Sequence, residues 1–230
     1  MKTIGMIGGM SWESTSSYYT MINEGIKEAL GGLHSAKIAL YSVDFSEIET
    51  LQHEGRWQEA GEVLAQAGRG LVQAGADFLM ICTNTMHKVA DEVEKASGVP
   101  LLHIADATGE VLKADGVETV GLLGTSFTME EAFYKGRLTE KFGLDVVIPD
   151  EKDRAEVHRV IFDELCAGKM VSTSKERYQR IIERLEKEGA DAVILGCTEI
   201  GLLVKPEDSL VRLYDTTAIH AQAAVKMALQ

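Results

Sequence analysis

Two short segments of this chain hold the residues best suited to chemistry. One reads Cys82-Thr83-Asn84-Thr85-Met86-His87 and the other Gly196-Cys197-Thr198-Glu199-Ile200. A thiol ionises at about pH 8.5, and its thiolate is both a nucleophile and a base able to take a proton. Asn84, Thr85 and Thr198 place side-chain donors beside these positions, which suits a carboxylate that gains charge in a transition state. Thr198-Glu199-Ile200 reads as the first turn of a helix. Cys197 would then lie where unpaired N–H groups and the helix dipole favour negative charge, which predicts a lowered thiol pKa. Cys82 reads as core, and Cys166, in Glu164-Leu165-Cys166-Ala167, as one apolar position of a helix.

Other chemistries lack their residues. Gly5-Met6-Ile7-Gly8-Gly9 does not have the glycine spacing of a dinucleotide fingerprint, and there is no phosphate-binding P-loop motif. No G-x-S-x-G elbow exists for a serine hydrolase. The six histidines are scattered without paired-ligand spacing, so no metal is expected. His87 lies near a helix start, where it could orient a neighbour or serve as a plain cap. Gly8-Gly9-Met10-Ser11-Trp12-Glu13-Ser14-Thr15 reads either as a backbone anion cradle or as a well-capped first helix.

The elements that must carry these residues alternate in type. Apolar runs at Thr3–Ile7, Lys37–Val43, Phe78–Cys82, Leu101–Ile104, Val120–Leu123, Leu144–Ile148, Ala192–Leu195 and Leu210–Tyr214 read as buried parallel strands. Helical periodicity marks Trp57–Ala74, His87–Ser97, Met129–Phe142 and Ser174–Glu188. The class is α/β. At 230 residues, 45% apolar and 26% charged, the chain is an ordinary globular protein with enough length for one large or two small cores. Asp and Glu number 36 against 23 Lys and Arg, a formal charge of −13 that repels nucleic acid. No apolar run is long enough for a membrane-spanning helix, and the N-terminus does not read as a signal peptide. Three widely spaced cysteines without C-x-x-C predict reduced thiols in a cytoplasmic protein.

The chain also repeats itself. Thr3-Ile4-Gly5-Met6-Ile7-Gly8 echoes Thr119-Val120-Gly121-Leu122-Leu123-Gly124, and Gly75-Ala76-Asp77-Phe78-Leu79-Met80-Ile81 echoes Gly189-Ala190-Asp191-Ala192-Val193-Ile194-Leu195. Leu101-Leu102-His103-Ile104-Ala105-Asp106 echoes Leu210-Val211-Arg212-Leu213-Tyr214-Asp215, which pairs Asp106 with Asp215 as turn or N-cap residues. The echoes keep their order at separations of 116, 114 and 109 residues. Duplication predicts two pseudosymmetric Rossmann-like parallel-sheet domains. The first comprises residues 1–104 with 216–230 and the second residues 105–215, with the active site in the cleft between them. Extending the middle echo makes Cys82 equivalent to Gly196 and Thr83 equivalent to Cys197, so Thr83 and Cys197 would meet a bound molecule from opposite sides.

Together with Gly8-Gly9-Met10, the two reactive segments resemble the aspartate/glutamate racemase family, and the resemblance runs the length of the chain. It implies two α/β domains, usually paired as a homodimer, that racemise an acidic amino acid without pyridoxal phosphate. Family members typically place two cysteines on either side of the substrate α-carbon. This chain departs from that pattern, because the first position is Thr83 and Cys82 stands one residue too early. Such a shift turns a side chain on an extended segment to the other face. The Thr/Cys pair, together with the Ser11-Trp12-Glu13-Ser14-Thr15 continuation of the first turn, is similar to an L-aspartate/glutamate-specific subgroup. The resemblance therefore implies Thr83 and Cys197 as catalytic residues. It implies Met10, Gln52, Asn84, Thr85, Thr125 and Thr198 as substrate contacts. Lys169, in the Gly168-Lys169 turn, reads either as a cation for the side-chain carboxylate or as a solvated loop lysine, Glu199 either as a residue that orients Cys197 or as part of a first helical turn, and Ser11 as a supporting residue. A threonine hydroxyl is too weak an acid to rest as a base, so Cys197 is expected to abstract the proton and L-substrates to be favoured. The alternatives are a decarboxylase that protonates an enediolate from a single cysteine, a non-catalytic amino-acid sensor, and a redox-sensing thiol protein that needs a resolving cysteine.

Overall fold

The computed structural model describes all 230 residues and divides into two compact units, residues 1–104 with 220–230, and residues 105–219. Each is an α/β unit built on a four-stranded parallel sheet. No helix is long and apolar enough to cross a membrane.

The first unit runs β1 (Ile4–Gly8), α1 (Trp12–Leu30), β2 (Ile38–Ser42), α2 (Phe45–His53), α3 (Trp57–Gln73), β3 (Phe78–Ile81), a 3-10 turn over Thr85–Val89, α4 (Ala90–Ser97) and β4 (Leu101–Leu102). Its strand order is β2-β1-β3-β4. Successive side chains of a strand alternate between faces, and both faces here are covered. Ile7, Leu79 and Ile81 join Leu64 and Leu71 of α3 and Val93 of α4 in one apolar layer. Ile4, Met6, Phe78, Met80 and Cys82 join Tyr18, Ile22 and Ile26 of α1 in the other. Two covered faces explain why β1 and β3 read as unbroken apolar runs. The edge strand β2 differs from the buried strand expected, since Leu40 and Tyr41 are exposed. An edge strand has only one neighbour to cover it. The helix expected over His87–Ser97 is likewise split, with the 3-10 turn ahead of α4.

The second unit follows α5 (Ile104–Ala114) with β5 (Thr119–Gly124), α6 (Ser126–Glu130), α7 (Ala132–Phe142), β6 (Asp145–Val147), α8 (Glu151–Asp163) and a 3-10 turn at Leu165–Ala167. Then come α9 (Ser172–Lys187), β7 (Ala192–Gly196), α10 (Ile200–Leu203), a 3-10 turn at Pro206–Asp208 and β8 (Arg212–Asp215). The last helix, α11 (Thr216–Leu229), carries the chain back into the first unit, where Ala221, Ala224 and Ala228 join the layer around α1. The strand order β6-β5-β7-β8 repeats that of the first unit.

The pairing register tests the internal repeat directly. Ile7 pairs with Ile81 and Leu123 with Leu195, so the first two echoes occupy equivalent sheet positions. The third echo is out of register. Leu79 pairs with Leu101 and its equivalent Val193 pairs with Leu213, so Leu101 corresponds to Leu213 rather than Leu210. The apolar Leu210 that anchored the echo is exposed and precedes the strand. Asp106 and Asp215 are therefore not equivalent. Asp215 does cap α11, accepting from the Thr217 N–H at 2.8 Å. Asp106 instead lies inside α5 and takes Arg137 Nε at 2.6 Å and Lys141 Nζ at 2.7 Å from α7.

Candidate functional site

In the first unit the reactive segment leaves the sheet at the carboxyl end of β3. The Cys82 N–H donates to Ile7 O at 2.9 Å, which extends the ladder one residue past the strand. Its thiol is fully buried, and burial alone pushes its pKa up. Thr83 is half-buried, and Asn84 and Thr85 are buried. The His87 N–H closes the turn on Asn84 O at 3.0 Å, while its ring reaches back to Thr83 O, with Nδ1 at 2.8 Å. Gln52, buried on α2, donates to Met86 Sδ at 3.0 Å, and Met10 and Met86 share one apolar cluster. The structure thus draws Met10, Gln52 and Met86 together, with Asn84 and Thr85 buried just ahead of Met86.

The turn after β1 favours the capping reading over an anion cradle. Gly9 N–H donates to Thr15 Oγ1 at 2.8 Å, Ser14 N–H to Ser11 Oγ at 3.3 Å and Thr15 N–H to Ser11 O at 3.2 Å. These donors are spent within the turn, and Ser11 is the N-cap of α1.

In the second unit the equivalent segment leaves β7. Gly124 and Gly196 pair at the ends of β5 and β7, so Thr125 and Cys197 follow directly on two paired residues. A Cβ on Gly196 would lie 2.7 Å from Leu123 O, so glycine is what lets these backbones close. Thr125 is the N-cap of α6, accepting from the Thr128 N–H at 3.3 Å. Cys197 is buried and its Sγ lies 3.0 Å from Glu199 Oε2, which also accepts from Thr198 Oγ1 at 2.7 Å. Glu199 is itself buried.

This environment overturns the expected acidity of Cys197. Burial raises its pKa well above the ordinary thiol range, and the Glu199 carboxylate and Cys166 raise it further. The backbone N–H of Glu199 opposes them but does not prevail. The helix that was to supply a favourable dipole, α10, has only four residues and begins three residues later. Cys197 therefore rests as a thiol that donates to a carboxylate. Cys166 also departs from expectation. It sits half-buried in the 3-10 turn after α8, within electrostatic reach of Cys197, rather than on an apolar helix face. Lys169 is exposed one residue past Gly168, and its backbone N–H donates to Glu164 O at 2.8 Å. No hydrogen bond or ion pair of its ammonium ties it to the Cys197 segment.

Sequence reasoning missed a buried histidine cluster beside Thr83. His87 and His103 lie with ring centroids 4.5 Å apart and planes tilted by 58°, and His220 of α11 stands 5.7 Å from His87. Tyr18 Oη lies 3.0 Å from His220 Nδ1, and His220 Nε2 lies 2.9 Å from Leu102 O. Their sequence separations carry no shared period, so only the fold assembles them.

Comparison with known proteins agrees with this architecture. A model of the Asp/Glu/Hydantoin racemase family matches residues 7–224. A crystal structure of a candidate Asp/Glu racemase from Yersinia pestis shares 57% identity, with both chains fully covered and a TM-score of 0.94. An aspartate racemase homologue from Pyrococcus horikoshii shares 37% identity over the whole of both chains at a TM-score of 0.85. The broad specificity amino-acid racemase RacX of Bacillus subtilis is 24% identical over 96% of each chain. Unliganded arylmalonate decarboxylase, at 16% identity and a TM-score of 0.53 over 99% of this chain and 93% of its own, shares the fold alone.

Proposed function

This chain belongs to the Asp/Glu/Hydantoin racemase family, and from that premise we propose that it interconverts the L- and D-forms of aspartate or glutamate by moving the α-proton, without pyridoxal phosphate. The observation that carries the reading is the Cys197–Glu199 pair at the register position that Thr83 fills in the first unit. Racemisation needs a group on each face of the α-carbon, and a duplicated strand end supplies two such groups.

Cys197 rests as a thiol, so it must lose its proton before it can act as a base. Glu199 Oε2, 3.0 Å from Sγ, is placed to accept it. The thiolate then takes the α-proton, the Cα–H bond breaks, and its electron pair moves into the substrate carboxylate as an enediolate. Donors among Asn84, Thr85, Thr125 and Thr198 are suited to stabilise that charge. The Thr83 hydroxyl protonates the opposite face and is refilled by water, while the proton held by Cys197 and Glu199 returns to solvent. Only one of the two groups has a carboxylate partner, so L- and D-substrates should differ in rate. The equilibrium constant between enantiomers stays at unity. The acidic substrate must be captured by local donors, because the formal charge of −13 repels it at long range. Three free cysteines suit a reducing, cytoplasmic setting.

The test is proton NMR of L-aspartate and L-glutamate in deuterated water with the enzyme and no added cofactor. Loss of the α-proton signal with appearance of the D-enantiomer supports the reading. Binding without exchange would make the protein an amino-acid sensor.

A further inference from the structure

The racemase reading assigns Thr83 a proton to deliver but leaves open what holds it in place, and the geometry of His87 answers this. The His87 ring is 2% exposed and bridges two backbone groups. Nδ1 lies 2.8 Å from Thr83 O, and Nε2 lies 3.1 Å from the N–H of Ile104. A backbone N–H can only donate, so Nε2 is the bare acceptor. A carbonyl can only accept, so Nδ1 carries the hydrogen. These bonds fix the ring in the neutral Nδ1–H tautomer. Its surroundings keep it neutral. His103 from the β4–α5 junction and His220 from α11 flank it, and burial and those two rings hold its pKa well below the ordinary histidine range. Tyr18 of α1 faces the cluster through His220. Lys88, next to His87 on the same turn, sends its ammonium over the Trp57 ring instead, 3.9 Å from the centroid.

We propose that His87 is a positioning residue which, as a neutral Nδ1–H donor, clamps the Thr83 carbonyl to the first residue of α5 and so aims the Thr83 hydroxyl. Without the clamp, the segment after β3 loses the strut that joins it to Ile104, where the chain leaves the first unit. The inference rests on the racemase reading, and it predicts a fault on one face of the substrate only. Cys197 can remove the α-proton and return a deuteron on its own side, but inversion needs Thr83.

Two measurements on the full-length protein test it. The first is nitrogen–proton correlation NMR of the imidazoles in the wild type, which reports tautomer without any substrate. His87 is expected with Nδ1 protonated and Nε2 bare at neutral pH. An Nε2–H tautomer or an imidazolium would overturn the proposal. The second follows L-substrate in deuterated water and compares deuterium incorporation with retention against inversion. In His87→Gln, whose carbonyl can take the Ile104 N–H while the Thr83 carbonyl loses its donor, inversion should fall roughly 10- to 100-fold with retained exchange largely kept. His87→Asn, which places a donor near the Nδ1 position, should recover most of the inversion. Equal loss of both reactions, with Asn no better than Gln, would reduce His87 to a packing residue and overturn the proposal even in a working racemase. A wild type that neither exchanges nor inverts would instead remove the racemase reading and this inference together. If His87→Gln does not fold, the wild-type tautomer and the Asn variant still decide.

Discussion

After β3 the chain places Cys82, buried against the α1 layer, and then Thr83, whose carbonyl is held by a neutral imidazole. After β7 the same register holds Gly196, with no room for a side chain, and then Cys197, whose thiol is held by a carboxylate. The backbones are equivalent and the supports are opposite in kind. One is an N–H strut that orients without exchanging its proton, and the other is a carboxylate that can take one up. The repeat therefore fixes where the two residues stand, and their neighbours differ in whether they can take up a proton.

The comparison breaks most sharply at Cys197. Cys197→Ser should lower both α-proton exchange and inversion by about 10²- to 10⁴-fold, the usual cost of losing a positioned base. Thr83→Ser keeps a hydroxyl and should cost far less. If the Cys197→Ser protein exchanges α-protons undiminished in deuterated water, the base lies elsewhere. The same contrast predicts the role of the carboxylate. In Glu199→Gln the pH at which iodoacetamide alkylates Cys197 should move down, because a neighbouring negative charge has gone. Racemisation should nevertheless slow, because the proton acceptor has gone with it.

A smaller effect separates the units by their histidines. The first unit buries His87, His103 and His220, whereas His158 of the second is half-buried and its Nδ1 takes the Ser126 N–H at 3.1 Å. Burial pushes His220 down to about 4 from its ordinary 6.5. Below pH 6.5 the unfolded chain binds a proton that the folded protein refuses until about pH 4. Stability is therefore full above 6.5 and is lost as the pH falls through that window, by about 3 kcal/mol for this one group. Urea unfolding at successive pH values should show the decline, and His220→Gln should make it shallower, with buried His87 supplying the part that remains. That variant should also be weaker at neutral pH, because the hydrogen bonds to Tyr18 and Leu102 are disturbed. A decline that persists unchanged in His220→Gln would assign the acid sensitivity to other groups.

Part of this was legible in the residues and part was not, and the division follows the physics. Strands covered on both faces must be apolar throughout, so β1, β3, β5 and β7 stand out as runs, and their mutual register makes Thr83 equivalent to Cys197. The edge strand β8 is short and begins at Arg212, so its apolar flank Leu210 drew the third echo three residues out of register. The acidity of Cys197 was misjudged because it depends on burial and on the rotamer that brings Glu199 Oε2 onto the sulfur, neither of which a motif contains. The histidine cluster draws on α1, the turn after β3, the end of β4 and α11, and its members become neighbours only when the chain returns to the first unit.

The mildest test concerns the residues that precede Thr83 and Cys197. Gly196→Ala would press a methyl group to 2.7 Å from Leu123 O, a backbone atom that can yield only by moving β5. Overpacking of this kind costs about 1–3 kcal/mol and should displace Cys197 as well. Cys82→Ala, at the equivalent position, removes a sulfur from a closed apolar layer and leaves a small void, for about 1 kcal/mol. The two variants should differ more in activity than in stability. Cys82→Ala leaves the backbone of Thr83 and its bond to His87 in place, whereas Gly196→Ala shifts the strand end that carries Cys197. Urea midpoints set beside exchange rates would show this. Equal loss of exchange in both variants would mean that the close approach of β5 and β7 is not what sets the position of Cys197.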